Sequence, residues 1–262
     1  MSRSKTAFEV ALNILTAILF LCFWEMAVKY RLNLGFIGFE NLPTASSVIK
    51  TFYELLFKEK FWINILYSIY RIFAGFTIAL VLGVVLGFAI HSSNILKNTM
   101  FFIFELLRPI PGVAWIPISI MLFPSSETSI IFIIIVGAIY PILLNTIHGA
   151  NSVHRGMIDS ALSLGASKKQ IYAWVLIPLS LPSIITGATI GMGTAWFCLI
   201  TGEMISGKFG LGYFVWEAYI LQQYDNIIVG MIMIGILGVF SSKVINIIGN
   251  KLIKWRDTVK AL

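Results

Sequence analysis

Residues 65–90 read ILYSIYRIFAGFTIALVLGVVLGFAI, an apolar run whose only charge is Arg71. A helix needs roughly 20 predominantly apolar residues to cross the hydrocarbon core of a bilayer, so this stretch is long enough to span one. Gly75, Ala79, Gly83 and Gly87 recur at every fourth position and therefore share one helical face. Lipid gives helices little hydrophobic reason to associate, and a stripe of small residues lets two backbones approach closely. The run predicts a spanning helix packed tightly against a neighbour.

Further apolar segments lie on either side, at 10–28, 101–123, 130–147, 181–205 and 227–248. The 262-residue chain is 58% hydrophobic and 12% charged, the latter about half the usual share of a soluble domain. The expectation is an all-α polytopic membrane protein with about six transmembrane helices, a single domain over 1–262. No separate soluble domain fits. Lys and Arg number 19 against 12 for Asp and Glu, a net charge of +7. No basic stripe interleaved with aromatics accompanies that excess, which excludes nucleic acid as a partner.

Arg3 and Lys5 precede the first segment as in a signal peptide, but the stretch is long, ends in Trp24-Glu25-Met26 and lacks a small-x-small cleavage site. It reads as a retained first span. Cys22 and Cys198 sit inside apolar runs and read as small buried packing residues. Between the first two spans, 31–60 carries turn signals at Gly35, Gly38 and Pro43 and a helix opening at Ser46 or Ser47, giving a surface linker followed by an amphipathic helix. Basic residues mark cytoplasmic loops. With the amino terminus inside, that side holds Arg3, Lys5, Lys97, Arg155, Lys168, Lys169, Lys251, Lys254, Arg256 and Lys260, so both termini are expected in the cytoplasm.

A second small-residue stripe, Ser183, Gly187, Gly191 and Ala195, marks the fifth segment. Either stripe serves generic tight packing or a role beside a substrate path, and both spans belong inside the bundle or at a subunit seam. Pro109, Pro111 and Pro117 interrupt the third segment. Each removes a backbone donor, and unsatisfied backbone at membrane depth needs protein or a wet cavity around it, so this span is expected to be kinked and internal. Pro141 predicts a similar bend in the fourth.

The segment 155–178, between the fourth and fifth spans, reads RGMIDSALSLGASKKQIYAWVLIP. Asp159 suits the first turn of a helix, where an acid meets the positive end of the dipole. Gly165 can take the left-handed conformation that closes a helix, and Ser167 with Gln170 forms a capping box that opens the next. Pro178 and Pro182 punctuate the start of the fifth span. The result is a short rigid helix with small Ser160 and Ala161 near its start and apolar Met157, Leu162 and Leu164 around them, suited to a partner's groove.

This stretch resembles the cytoplasmic coupling motif of permeases from binding-protein-dependent ATP-binding-cassette importers: Glu-Ala-Ala, three residues, Gly, nine residues, Ile-x-Leu-Pro. Here Asp159-Ser160-Ala161, Gly165 and Val175-Leu176-Ile177-Pro178 keep the spacing, with Asp for Glu, Ser for Ala, Val for Ile and Ile for Leu. Arg108-Pro109-Ile110-Pro111-Gly112-Val113-Ala114-Trp115-Ile116-Pro117 is similar to a signature of the branch that carries nitrate, sulfonates, taurine and bicarbonate. The segments 68–76 and 210–213 look like two others of that branch. The resemblance implies the type I importer permease fold in a bacterial inner membrane. It also implies a homodimeric path for a small oxyanion, a separate cytosolic ATPase that binds the ATP, and an extracytoplasmic solute-binding protein. Asp159, Ser160, Ala161, Leu164, Gly165 and Pro178 would then transmit ATPase closure. The chain would bind no cofactor or metal itself, and it lacks the Gly-x-x-x-x-Gly-Lys-Ser/Thr loop that cradles ATP phosphates.

A charge at mid-bilayer costs roughly 2.5 to 3.5 kcal/mol and asks for a partner or a task. Glu105 and Arg108, three apart, can pair; the alternative is that Arg108 lines the path and meets an oxyanion with its planar fork of donors. Arg71 reads as a long side chain reaching the outer interface. Glu203 and Glu217 shape an outer gate or stand as rim charges. His91, His148 and His154 show no metal-ligand spacing. Two other classes would leave different marks. A membrane-embedded transferase would need a nucleophile and base on one membrane side, and an autonomous secondary transporter would show related halves; neither pattern appears.

Overall fold

The computed structural model describes residues 2–253 except 34, 36, 37 and 40, with backbone alone for 2–10 and 206. Lys254, Arg256 and Lys260, and the side chains of Arg3 and Lys5, lie outside the described residues. Apart from an isolated bridge between Asn33 and Gly38, the regular structure is helical.

The chain opens with α1 (Ser2–Lys29) and α2 (Ala45–Leu55). The linker between them is tied back to α1: Trp24 Nε1 donates to the Pro43 carbonyl at 3.1 Å, and the Glu25 carboxylate accepts the Ser46 amide and hydroxyl at 3.0 and 2.8 Å. Thr44 caps α2 by accepting from the Ser47 amide, so the helix begins just before the serines that were expected to open it. Next come α3 (Glu59–Ser92), the single turn α4 (Asn94–Leu96), a π-helical turn over Lys97–Phe101 and α5 (Phe102–Leu107). A 3-10 turn (Gly112–Trp115) leads to α6 (Ile116–Leu122), α7 (Ser126–Asn151) and α8 (Arg155–Ser163). The chain closes with α9 (Lys168–Ile171), a π-helical turn over Tyr172–Leu176, α10 (Ile177–Ser206), α11 (Leu211–Ile220) and α12 (Tyr224–Leu252).

Among the described residues, five helices are long and apolar enough to cross a membrane, and Asn94–Leu107 with Gly112–Leu122 adds a sixth if taken as one broken span. That pair bends by 96°, far beyond a kink. Pro109 and Pro111 lack amide hydrogens; α5 stops at Leu107, just before them, and Pro111 takes an extended backbone that opens the 3-10 turn. The expected internal position is not met within the single chain: Phe102, Leu106 and Met121 are 63%, 66% and 87% exposed. Pro141, by contrast, lies within an unbroken α7. The carbonyl that its ring orphans, that of Gly137, accepts the Thr194 hydroxyl of α10 at 2.8 Å, so the helix continues without an unsatisfied acceptor.

Packing divides the chain into two compact units, Met1–Trp62 with Phe214–Ile232, and Ile63–Tyr213 with Met233–Leu262. Within the first, Phe61 meets Phe214 edge to face at 5.5 Å, Ser47 donates to Asp225 at 2.6 Å, and Lys60 pairs with Glu217 at 2.8 Å. The apolar side chains of α1 are largely bare, and Cys22 is exposed among them rather than buried as expected.

The second unit centres on α7, whose Ile130, Ile134, Ala138 and Ile142 are fully buried. Both small-residue stripes close on this helix. A Cβ added at Gly75 would stand 2.6 Å from Ile134 Cγ2, one at Gly83 2.8 Å from Ile142 Cγ2, and one at Gly87 2.7 Å from Thr146 Cβ. From the opposite side, a Cβ at Gly187 would meet Asn145 Cβ at 2.6 Å, and one at Gly191 would meet the Ala138 carbonyl at 3.1 Å. Backbones approach this closely only where no side chain intervenes, so α3, α7 and α10 pack as a glycine-clamped stack. Cys198 fills the space left by Gly112 and Gly137, where an added Cβ would lie 2.5 Å from its sulfur.

Candidate functional site

The three helices of the stack present two different ends. At one end, Asn64, Ser68 and Arg71 project from a single face of α3, spaced four and three residues apart, and are 0%, 0% and 1% exposed. Arg71 does not reach toward an interface as expected. Its Nη1 donates to Glu203 at 2.9 Å and to the Phe209 carbonyl at 2.6 Å, its Nε donates to Glu127 at 2.7 Å, and Nη2 also donates to Glu127. The guanidinium lies over the Tyr67 ring, which stacks on Phe209 at 5.0 Å. Desolvating an arginine is costly, and here the fork of donors finds two carboxylates and a carbonyl.

Glu203, from the end of α10, expected on a solute path, gate or rim, is itself completely buried within the single chain. Its carboxylate accepts from Arg71, from the Ser68 hydroxyl at 2.8 Å and from the Gly212 amide at 2.9 Å. Ser68 in turn accepts the Leu211 amide at 2.8 Å, and Asn64 accepts that of Gly210 at 2.8 Å. The first amides of α11, which have no partner within the helix, are thereby capped by a hydroxyl and an anion. Gly210 has φ +119°, and a Cβ there would run into the Glu203 carboxyl. The Gly210-Leu211-Gly212-Tyr213 segment thus has a local physical reason.

At the other end, His91 Nδ1 lies 2.9 Å from Asn151 Oδ1, and the Ser92 and Tyr172 hydroxyls are 2.5 Å apart. Beyond them stands α8. His154 caps it, its Nδ1 accepting the Gly156 amide at 3.2 Å. Asp159 is therefore past the first turn, where the dipole argument had placed it. Gly165 takes φ +82°, the Gly165 amide bonds the Leu162 carbonyl at 2.9 Å, and the Ala166 amide bonds that of Ala161 at 3.0 Å. These two bonds make a Schellman closure. Two residues on, the Ser167 amide donates to Gln170 Oε1 at 2.8 Å and the Gln170 amide returns to Ser167 Oγ, completing a capping box that starts α9. Pro178 falls in the first turn of α10. Met157, Leu162 and Leu164 are 53%, 50% and 89% exposed on this tightly capped knuckle.

A cavity of about 520 Å³ opens beside the bend, with Arg108, Tyr140, Asn145, Thr194 and Phe197 on its wall. Glu105 does not line it, and among the described residues no ion pair joins Glu105 to Arg108. Both side chains are exposed at the point where α5 ends, and an exposed pair gains little from meeting. Among the described residues no group of three or more His, Cys, Asp or Glu side chains has the arrangement to hold a metal ion.

Residues 79–256 match the family model of the binding-protein-dependent transport system inner membrane component. The chain belongs to this family. It is a multi-pass inner membrane protein, the permease subunit of an ATP-binding-cassette importer, which works with a separate ATPase and a solute-binding protein and is not itself catalytic. A Methanocaldococcus jannaschii protein, provisionally named an ABC transporter permease, is 38% identical over 96% of this permease and 94% of its own length. The nitrate import permease of Synechocystis is 35% identical over 78% of each chain. The fold is that of the membrane subunit in an inward-facing methionine ABC transporter, with a TM-score of 0.58 at 21% identity over 72% of this chain and 92% of that one.

The residues that sequence reading missed are Asn64, Ser68 and Glu127. The available signal was a polar face, Asn64, Ser68 and Arg71, on an otherwise apolar spanning helix.

Proposed function

We propose that two copies of this permease form the path for a small oxyanion, and that α8 is the surface on which the cytosolic ATPase docks. The observation that carries the docking reading is the bare apolar triplet Met157, Leu162 and Leu164 on a helix capped at both ends. A rigid element whose apolar side chains lack cover suits a groove in a partner, and Asp159, Ser160, Ala161, Leu164 and Gly165 form its contact and its hinge-free closure. The segment 155–178 then acts as the coupling loop of one permease domain spanning 1–262, with both termini in the cytoplasm. The basic residues Arg155, Lys168 and Lys169 around α8 support that orientation.

The anion reading rests on Arg108 at the wall of the cavity, which Thr194 and Asn145 also line. With no carboxylate among the described residues paired to it, the guanidinium can offer its fork of donors to nitrate, sulfonate or bicarbonate oxygens. The similarity to a nitrate import permease agrees with this class of cargo. A second copy and lipid would cover the bare faces of α1, α5 and α6. Mass spectrometry of the cognate binding protein, isolated with its cargo, identifies the solute; a neutral molecule there would overturn the anion reading. Uptake of that solute by an Arg108→Gln variant, at saturating binding protein, is expected to fall by about tenfold or more, the cost of one charge-assisted contact.

A further inference from the structure

The polar cluster at the end of the stack remote from α8 has no part in the reading above, yet its Ser68, Arg71 and Glu203 are buried and bonded to one another and to the chain around them. We infer that Ser68, Arg71 and Glu203 are positioning residues for transport. They fasten the 209–212 loop, and with it the first turn of α11, to the α3–α7–α10 stack, so that displacement received at α8 is delivered at the opposite end. The inference rests on the proposed coupling role of α8.

Each step has a structural counterpart. The stack transmits because glycines let its backbones touch, from Gly75 opposite Ile134 near one end to Gly87 opposite Thr146 and Gly149 opposite Ser183 near the other. Packed interiors of this kind move as bodies rather than deforming continuously. A connecting loop would ordinarily absorb such motion, because its amides exchange partners with water. Here four successive backbone positions are pinned: the Phe209 carbonyl by Arg71, the Gly210 amide by Asn64, the Leu211 amide by Ser68 and the Gly212 amide by Glu203. The pins come from two different helices, α3 and α10, and Arg71 adds α7 through Glu127. Glu203 closes the circle by accepting from both α3 side chains and from the loop. Loop and stack therefore share one frame, and α11 starts from it.

Ser68 is the most selective handle. Ser68→Ala removes the acceptor of the Leu211 amide and one donor to Glu203, but leaves the Arg71–Glu203 pair intact. The experiment uses the intact complex of permease, ATPase and binding protein in nanodiscs, with Cys22 and Cys198 replaced and a fluorophore on Lys208→Cys beside the loop. Trapping with ATP and vanadate should shift the fluorophore's emission in the parent complex. In Ser68→Ala, trapping should persist while the shift is lost, and hydrogen exchange over 209–212 should rise about tenfold as local opening becomes cheaper. Ser68→Thr, which keeps the hydroxyl, should restore the shift.

Several results overturn the inference. One is a parent complex whose label does not respond to trapping. Another is a Ser68→Ala complex whose loop exchanges freely while the label still shifts. Loss of trapping and shift together, unrescued by Ser68→Thr, would show a role in folding alone. Failure of the coupling reading looks different: a Leu164→Ala complex that traps and shifts normally would count against α8 as the docking surface while the Ser68 result stood by itself.

Discussion

The two ends of the glycine-clamped stack solve opposite problems. At the Arg71 end, Asn64, Ser68, Arg71 and Glu203 are sealed from solvent and nearly every donor faces an acceptor; at the α8 end, apolar side chains stand in the open while the backbone is carefully capped. A buried ion pair is weak evidence for stability, since desolvation offsets most of the attraction, but breaking one leaves an uncompensated charge. An exposed leucine costs the folded chain little and becomes valuable only against a partner. The first end therefore reads as internal structure and the second as an interface.

That contrast can be broken by substitution. Arg71→Ala would strand Glu203, whose remaining partners among the described residues would be the Ser68 hydroxyl and the Gly212 amide, and should cost about 3–5 kcal/mol of stability. Thermal unfolding of the purified permease would register this as a large drop in midpoint, and an unchanged midpoint would show that the cluster does not hold the fold. Leu164→Ala should behave in the opposite way. With 89% of Leu164 exposed, stability should stay within about 0.5 kcal/mol of the parent. Docking of the ATPase, measured by surface binding to nanodisc-held permease, should weaken by about tenfold, the scale of one buried anchor residue. Equal docking by the variant would remove Leu164 from the interface.

The legibility of the molecule divides along the same line. Spans, stripes and the caps around Gly165 and Ser167 were readable because each is a local pattern, set by helical period or by residues three or four apart. Even there the start of α8 was misjudged: His154 caps it through its ring, which leaves Asp159 beyond the first turn. The third segment was known to be interrupted, but proline spacing carries no bend angle, and 96° depends on how the extended Pro111 meets the following turn. The Arg71 cluster was missed for a different reason. Its ion pairs join residues 56 and 132 positions apart, whereas reading by spacing favoured the neighbouring Glu105 and Arg108, which do not pair. Only a polar face on an apolar helix, together with Gly210 and Gly212, hinted that a loop would be received there.

Coupling through α8 requires that this helix face the cytoplasm. A single cysteine at the exposed Ser163, in a permease with Cys22 and Cys198 replaced, can be challenged with a membrane-impermeant maleimide in sealed vesicles of known sidedness. Rapid labelling is expected in inside-out vesicles, with protection by the docked ATPase and no reaction in sealed right-side-out vesicles. Labelling of intact right-side-out vesicles would put the knuckle on the outer face and contradict coupling through α8.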